Sequence, residues 1–600
     1  MPSQHLTFST VAALSLAASV LATAPSRIQA QQASDAITQA RDAMSRGIDA
    51  AQRGDLTTAQ HEFASAVALA PQVSATHAAL GSVYLEQGQL SLAEAELNTA
   101  HTLTPADLSI DLNLARTDAG LARYAAALAL FRQALADPAA PQLSPAESIA
   151  YATALAASGD LATAQSALAA ALTSAPDSAL LHDTLGALLA QQGDLAAAVP
   201  HFRQALALDP ALASAQYHLG TALLALNDPT AAIAPLQLAV AATPNSFDAR
   251  LQLGRALSAL NNDADALVQL HSAADLSTST TDARSLYALA LALQASGDPA
   301  AALPLFARAT QSAASWKPAE YTSAITNFAL AHVQTGDAKG ALPLYARALA
   351  LGPDAPTLRE DYGVAYLQQQ DLGHAIEQFR AGLALDANSA HLHYDLGLAL
   401  KLQDNLTDAV PEFERSAQLD PTLPDPAYTL GIIYMQQGRF ADSATQLQRA
   451  VALQPSNGDA WALLGSVLRD SGNPTGAMDA LQHAITLQPD QPNLHVEVAA
   501  LEAQAGQKEQ AAAERKLAAE LSRVVVSRQR ASFALKSGRA LLADNKLDAA
   551  LIQLKTAVQA APDSAEAHQL LAQLYTRQGN TADAALERTR AAALEPSPTH

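Results

Sequence analysis

One stretch of the sequence decides the fold: residues 179–210 read ALLHDTLGALLAQQGDLAAAVPHFRQALALDP. In each half, small or apolar residues recur at spacings of three and four, which places them on one face of a helix. They are Leu185, Gly186 and Leu189 in the first half, and Ala198, Phe202 and Ala205 in the second. Gly193 is typical of the turn between two helices, and Pro210 of the end of the second helix. The stretch therefore predicts two antiparallel helices.

The same pattern recurs with a period of about 34 residues. Sixteen repeats start at 40, 74, 108, 145, 179, 213, 247, 283, 322, 356, 390, 424, 458, 492, 531 and 565. The eighth place is Gly or Ala in all sixteen, the twentieth is Ala in fifteen (Ser443 is the exception), and the thirty-second is Pro in eleven. One helix pair cannot bury its apolar face alone, so the repeats are expected to stack into a solenoid.

The repeats resemble the tetratricopeptide (TPR) family, whose pattern is W-x2-L-G-x2-Y, then A-x3-F, then P. The places of that pattern are filled by His77, Leu80, Gly81, Tyr84, Ala93, Leu97 and Pro105, and again by Trp461, Leu464, Gly465, Leu468, Ala477, Leu481 and Pro489. The resemblance implies an all-α, right-handed TPR superhelix (α-solenoid) of about sixteen helix-turn-helix repeats. It also implies a non-catalytic scaffold that captures protein or peptide segments in its concave groove.

Composition limits the partners and the environment. The 600 residues carry a formal charge of −22 and contain no cysteine. An acidic chain argues against non-specific nucleic-acid binding and favours partners with neutral or basic contact faces. The absence of cysteine excludes disulfides and thiolate metal sites.

The N-terminus predicts export. Residues 10–24 are small and apolar, and Ile28-Gln29-Ala30 forms a plausible signal-peptidase site before Gln31. We therefore expect a signal peptide over 1–30, a lead-in over 31–39, and a periplasmic or secreted protein with no transmembrane domain after processing. An uncleaved anchor and a cytoplasmic protein remain the alternatives, because no Lys or Arg precedes the apolar stretch.

Four steps between repeats are longer than 34 residues: 108 to 145, 247 to 283, 283 to 322 and 492 to 531. We predict loop insertions in these steps, with possible breaks in the superhelix near 140, 280–320 and 525. The predicted domains are a TPR array over 40–282, a second over 283–526, and a C-terminal TPR pair with its cap over 527–600. The alternative is a longer loop that leaves the stacking unchanged.

Candidate binding residues come from the resemblance, because the second, fifth and sixth places of each first helix face the groove in TPR proteins. From 356 to 470 these places put acids and two tyrosines on one band, consisting of Glu360, Asp361, His391, Tyr394, Asp395, Asp425, Tyr428 and Asp459. Tyrosine suits peptide contact, and neighbouring carboxylates favour Lys or Arg in the ligand. The alternative is that an acidic chain scatters acids everywhere and that the tyrosines fill packing seams.

A second candidate surface is basic. Residues 508–539 carry eight positive charges against three negative ones, and a possible docking face consists of Arg515, Lys516, Arg523, Arg528 and Arg530. The alternative is a solvated helix pair.

No motif for catalysis stands out. The sequence has no P-loop, HExxH, GxSxG or Rossmann fingerprint, and His391 and His393 are its only tight histidine pair. We expect no enzyme activity, no cofactor and no metal site. Two other functions stay open: a TPR module of an envelope polysaccharide-export or secretion assembly, and a glycan-binding accessory protein.

Overall fold

A computed structural model describes residues 27–137 and 142–594. The predicted signal peptide lies almost wholly outside these residues, and so does the core of the predicted insertion near 140. The chain divides into two compact units, with the division between Ala331 and His332. The domain boundaries predicted from repeat spacing stay predictions.

The first unit is built from consecutive helix pairs. Its helices are α1 (Arg27–Gln52), α2 (Leu56–Leu69), α3 (Ser74–Glu86), α4 (Leu90–Leu103), α5 (Leu108–Gly120), α6 (Tyr124–Leu135), α7 (Pro145–Ala157), α8 (Leu161–Ser174), α9 (Ala179–Gln191), α10 (Leu195–Leu208), α11 (Ala213–Ala225), α12 (Pro229–Ala242), α13 (Phe247–Ser258), α14 (Asp263–Leu276), α15 (Ala283–Ala295) and α16 (Pro299–Ala309). A short 3₁₀ turn (Ala313–Ser315) follows, and α17 (Pro318–Gln334) contains the division between the units.

The second unit continues the same arrangement. Its helices are α18 (Ala338–Leu351), α19 (Pro356–Gln368), α20 (Leu372–Leu385), α21 (Ala390–Leu402), α22 (Leu406–Leu419), α23 (Pro424–Gln436), α24 (Phe440–Leu453), α25 (Gly458–Asp470), α26 (Pro474–Leu487), α27 (Pro492–Gln504), α28 (Lys508–Ala543), α29 (Leu547–Ala560), α30 (Ala565–Arg577) and α31 (Thr581–Leu594). Within each unit the two helices of a repeat pack on each other, as α9 and α10 do in the first and α25 and α26 in the second. The predicted all-α TPR solenoid is confirmed.

The small eighth residue lets the two helices of a repeat approach closely. A Cβ atom added to Gly186 would lie 2.7 Å from Cε1 of Phe202, and one added to Gly465 would lie 2.6 Å from Cγ of Leu481. Phe202 and Leu481 belong to the second helix of the same repeat and are buried. Because glycine has no side chain, the first helix leaves a space there, and the large residue of the second helix fills it.

The substitution Gly465→Val is expected to lower the free energy of unfolding by about 1–3 kcal/mol, because overpacking forces either α25 or Leu481 to move. Urea unfolding followed by circular dichroism measures the change. Ala452→Val, at an exposed position of α24, is the control and should cost less than about 1 kcal/mol. Equal losses in the two variants would contradict close packing as the role of Gly465.

The turn inside each repeat follows from local chemistry. Gly193 has a positive φ of 88°, which glycine adopts without steric cost. The side chain of Asp194 then accepts a hydrogen bond of 3.0 Å from the backbone N–H of Ala197 and so caps α10. This turn sets the two helices antiparallel.

The predicted insertions have different outcomes. The step from 247 to 283 contains a loop between α14 and α15, and the step from 283 to 322 contains a loop between α16 and α17. In the second loop Trp316 packs on Tyr287, with ring centroids 5.4 Å apart, and its indole N–H donates to the carbonyl of Ala309. These two loop predictions are confirmed.

The loop predicted between 492 and 531 is wrong. Residues 508–543 form the single helix α28, which joins the second helix of one repeat to the first helix of the next. The inserted stretch reads AAELSRVVVSRQRAS (518–532) and holds no Gly or Pro, so nothing in it ends a helix. Near 525 the array therefore continues as helix and not as a loop.

Among the described residues, no helix is both long and apolar enough to cross a bilayer.

Candidate functional site

The acidic band lies on four successive first helices of the second unit: α19, α21, α23 and α25. We use this name for the eight residues Glu360, Asp361, His391, Tyr394, Asp395, Asp425, Tyr428 and Asp459. His391, Asp425 and Asp459 are exposed, whereas the other five are half-buried. The structure therefore places the whole predicted set on first helices, with its most buried acids toward the N-terminal end.

Three of these acids form what we call the carboxylate cluster: Glu360, Asp361 and Asp395. Burial is the main cause that raises the pKa of each. The charge of Glu360 adds to the effect at Asp361, whose pKa rises from 3.8 to about 6, and the charges of both neighbours add to it at Asp395, whose pKa rises to about 7. These acids are therefore close enough to repel one another.

The carboxylate cluster has no compensating partner within the protein. Among the described residues, none of its three side chains makes a hydrogen bond or a salt bridge, and only the exposed His391 lowers the pKa of Glu360 by its charge. Half-buried carboxylates that repel one another are unfavourable for the isolated chain. A cation brought between them would relieve the repulsion.

A buried hydroxyl lies beside the cluster and was not predicted. Tyr345 of α18 is 0% exposed, and its hydroxyl has no hydrogen-bond partner in the described part of the chain. Burial raises the pKa of Tyr345, and the charge of Asp361 raises it further. Tyr345 fills the place that Phe379 and Phe413 fill in the next two repeats, and only the extra hydroxyl distinguishes it from them. A tyrosine at a place that holds phenylalanine in the next two repeats was the signal in the sequence that could have revealed this hydroxyl.

The two tyrosines of the acidic band are half-buried, so their rings contribute to packing as well as to the protein surface. Tyr394 packs on Phe413 with ring centroids 5.6 Å apart, and burial raises the pKa of its hydroxyl. Tyr428 packs against the apolar cluster around Leu464. Alanine at either position would open a cavity, so substitution of the carboxylates tests binding more cleanly than removal of the rings.

The cluster makes stability depend on pH. A carboxyl group whose pKa is raised by folding holds its proton more tightly in the folded state, so its contribution is most favourable below about pH 4 and is lost as pH rises through about 6 and 7. Asp361→Asn with Asp395→Asn should therefore raise the free energy of unfolding at pH 8 and change it little at pH 4. Urea unfolding across this range measures the difference, and an equal effect at both pH values would contradict the shifts.

The place of the first TPR aromatic holds a polar pair in several repeats, which sequence reasoning missed. A histidine in the first helix meets a glutamate nineteen residues later in the second helix. The pairs are His77–Glu96 (2.6 Å), His393–Glu412 (2.5 Å), His495–Glu514 (2.6 Å) and His568–Glu587. The other ring nitrogen of each histidine contacts a backbone carbonyl six residues earlier, for example 3.0 Å from Nε2 of His77 to Pro71. The recurring His-x18-Glu spacing was the signal that could have revealed them.

The predicted basic docking face is divided between two sides of α28. All five residues are exposed. Lys516, Arg523 and Arg530 are seven residues apart and lie along one side, since seven residues are almost two helical turns. Arg528 lies toward the other side, 4.0 Å from Asp490. We call Lys516, Arg523 and Arg530 the basic stripe, and Arg515 lies beside it.

Among the described residues, no group of three or more His, Asp or Glu side chains is arranged to hold a metal ion. One Ser, His and Asp set meets at Asp183, which accepts 2.6 Å from the hydroxyl of Ser214 and 2.8 Å from Nδ1 of His218. Because the serine donates to the aspartate and not to the histidine, this arrangement does not activate a nucleophile.

The tetratricopeptide repeat family model matches the chain over residues 44–107, 149–213, 184–247, 217–282, 326–390, 373–424, 428–492 and 535–599. These ranges cover well over half of the chain. The chain therefore belongs to the tetratricopeptide repeat family, whose members are generally protein-interaction scaffolds.

Solved structures add little beyond that. A crystal structure of MamA is 24% identical, with a TM-score of 0.26, and covers 27% of this chain and 94% of its own. A second one, MamA from residue 41 to its end from Desulfovibrio magneticus RS-1, is 20% identical, with a TM-score of 0.27, and covers 28% of this chain and 95% of its own. Likeness at this level carries no argument about function. Comparison with curated proteins finds no match.

Proposed function

We propose that this protein is a non-catalytic scaffold that captures a partner segment carrying Lys or Arg in the groove lined by α19, α21, α23 and α25. The observation that supports it most is the carboxylate cluster, because its three half-buried acids have no partner of their own. An ammonium or guanidinium group between them would form charge-assisted hydrogen bonds. Tyr394 and Tyr428 would supply apolar contact beside it.

The mechanism follows from preorganisation. The first helices are held by the repeat packing, so the acids need no rearrangement to meet a cation and little entropy is lost on binding. Ionised carboxylates bind a cation, whereas protonated ones do not, so capture is expected to release protons between about pH 5 and 7. Affinity for a basic segment should therefore rise with pH over that range.

The test is capture from a cell extract with two variants of equal charge. The band variant carries Glu360→Gln, Asp361→Asn and Asp395→Asn. The matched control carries Glu377→Gln, Asp404→Asn and Asp479→Asn, all at exposed positions outside the acidic band. Partners that quantitative mass spectrometry finds lost from the band variant and retained by the control support the proposal. An identical partner set in both variants argues against it.

We also propose export to the periplasm or beyond. The support is the apolar stretch over 10–24 and the small-residue site at Ala30. The mature protein should begin at Gln31 and appear in the periplasmic or secreted fraction, which intact-mass measurement of fractionated cells will test. Recovery of the full-length chain from the cytoplasm would contradict export.

The glycan-binding alternative is less well supported, because the tryptophans are engaged in the fold. The indole N–H of Trp461 donates to the carbonyl of Pro455, and its ring stacks on His483 with centroids 4.5 Å apart. Trp316 is half-buried against Tyr287. Neither ring is a free platform for a sugar.

A further inference from the structure

Helix α28 presents two parallel stripes. The basic stripe is Lys516, Arg523 and Arg530. Ala519, Val526 and Phe533 follow it at the same spacing of seven residues, three positions further on, and form what we call the apolar stripe. Positions three apart are neighbours on a helix surface, and seven residues rise about 10.5 Å. The helix thus repeats a cation beside an apolar side chain about every 10 Å.

Both stripes are unpartnered within the protein. Val526 is 63% exposed and Phe533 is 76% exposed. Arg523 and Arg530 make no hydrogen bond or salt bridge among the described residues, and Lys516 reaches only Glu520 of its own helix, at 4.0 Å. Every described residue from 519 to 530 is exposed or half-buried. A large exposed apolar side chain flanked by cations is typical of an interaction surface.

Residues 519–530 of α28 are left uncovered because the two ends of this helix pack on different neighbours. Its first part buries Ala511 and Ala518 against the preceding repeats, and its last part buries Ala534, Gly538 and Leu542 with α29. With 100° of rotation per residue, these two sets face roughly opposite sides of the helix. Between them, the hydroxyl of Ser527 donates to the carbonyl of Ala560 at the end of α29, whereas the residues of both stripes stay exposed.

The occupant of these stripes needs carboxylates at a matching spacing, with apolar rings between them. The acidic band supplies both kinds of group. Its acids lie on α19, α21, α23 and α25, and Tyr394 and Tyr428 lie among them on α21 and α23. Helices that pack on one another are about 8–10 Å apart.

We propose that the basic and apolar stripes of one molecule dock in the acidic band of a second copy, head to tail. This inference rests on the proposed function, since it names one partner of the same groove. The two surfaces are different parts of the chain, so the contact is heterologous and can repeat from molecule to molecule. Elsewhere two copies with a charge of −22 repel each other, so association depends on these complementary patches and weakens with salt.

Sedimentation velocity of the mature chain, from 1 to 100 µM in about 50 mM salt, tests this. The stripe variant carries Lys516→Glu, Arg523→Glu and Arg530→Glu. Its control, with the same change of charge, carries Lys339→Glu, Lys508→Glu and Lys555→Glu at other exposed positions. We expect the wild type and the control to associate with rising concentration, and the stripe variant and the band variant each to stay monomeric.

Mixing the two monomeric variants gives the decisive result. One molecule then supplies an intact basic stripe and the other an intact acidic band, so a one-to-one dimer should form and grow no further. Circular dichroism confirms that each variant is folded. A wild type that stays monomeric to 100 µM, or a mixture that stays monomeric, overturns the inference. So does a wild type that stays monomeric but binds anionic phospholipid vesicles through its stripes, since the occupant is then a membrane.

The same variants separate this inference from the proposed function. The stripe variant keeps the acidic band and must still capture a fluorescein-labelled Lys/Arg peptide. Normal capture by a protein that never self-associates leaves the proposed function standing and removes only the second copy as partner. If the band variant captures the peptide and self-associates normally, both the proposed function and the head-to-tail contact are wrong.

Discussion

Neutralising the carboxylate cluster is expected to weaken the binding of a Lys/Arg-containing peptide by about 100-fold, which corresponds to about 2.7 kcal/mol. The variant Glu360→Gln, Asp361→Asn and Asp395→Asn keeps the size of each side chain and removes three charges. Fluorescence anisotropy of a labelled peptide at pH 8 measures the change in Kd. The loss is large because these acids are half-buried, where a charge pair is less screened than on an open surface.

The control variant Glu377→Gln, Asp404→Asn and Asp479→Asn distinguishes the loss of the carboxylate cluster from a mere change of net charge. It removes the same charge from exposed positions and should change Kd by less than about threefold, since exposed pairs contribute little. A second check is pH: wild-type affinity should rise from pH 5 to pH 8, while the affinity of the band variant stays flat. Equal losses in the two variants would assign binding to overall charge and not to the groove.

The second large effect is on stability: His568→Ala should destabilise the C-terminal helix pair by about 3–5 kcal/mol, because it leaves the carboxylate of Glu587 buried with one partner fewer. His568 and Glu587 are 3% and 6% exposed. The ring joins α30 to α31 and also contacts the carbonyl of Pro562 at 3.1 Å from Nε2. Removing it breaks both links at once.

Because solenoid repeats can open locally, the measurement is hydrogen exchange of the amides in 565–594. We expect their protection to fall while that of residues 179–210 stays unchanged. His374→Ala is the control, since His374 is exposed, hydrogen-bonds to Asp371 three residues earlier and stacks on Tyr366 of the neighbouring helix. Protection in 565–594 that survives His568→Ala would show that the pair contributes little to stability.

The sequence predicted the helix pairs well because their determinants are local and repeated. The eighth and twenty-fourth places of a repeat, such as Gly465 and Leu481, are sixteen residues apart. A small residue at the first place and a large one at the second could therefore be recognised without a structure. The turn glycines and the helix-ending prolines have the same advantage. Periodicity of this kind is the strongest signal for secondary structure.

The prediction failed where periodicity stopped. At 492–531 the longer step was interpreted as a loop, although the inserted residues are all compatible with a helix. Spacing alone says only that residues were added and not what they form. The composition of the insert, without Gly or Pro, was the better guide.

The candidate site was predicted as a list of positions but not as a cluster. The repeat register placed Glu360, Asp361 and Asp395 on first helices. Their mutual repulsion depends on the distance between neighbouring helices and on burial, which one sequence does not give. Tyr345 was missed because its place in the repeat is a core position, where a hydroxyl looks like a minor variant of Phe.

Photo-crosslinking tests whether a partner segment lies in the groove of the first helices. Benzoylphenylalanine would replace Tyr394 in one protein and Ile552, an exposed residue of α29, in another. We expect crosslinks from position 394 to partner segments that contain Lys or Arg, lost when Glu360, Asp361 and Asp395 are neutralised. Crosslinks that form only from position 552, or that persist at 394 after neutralisation, would contradict it.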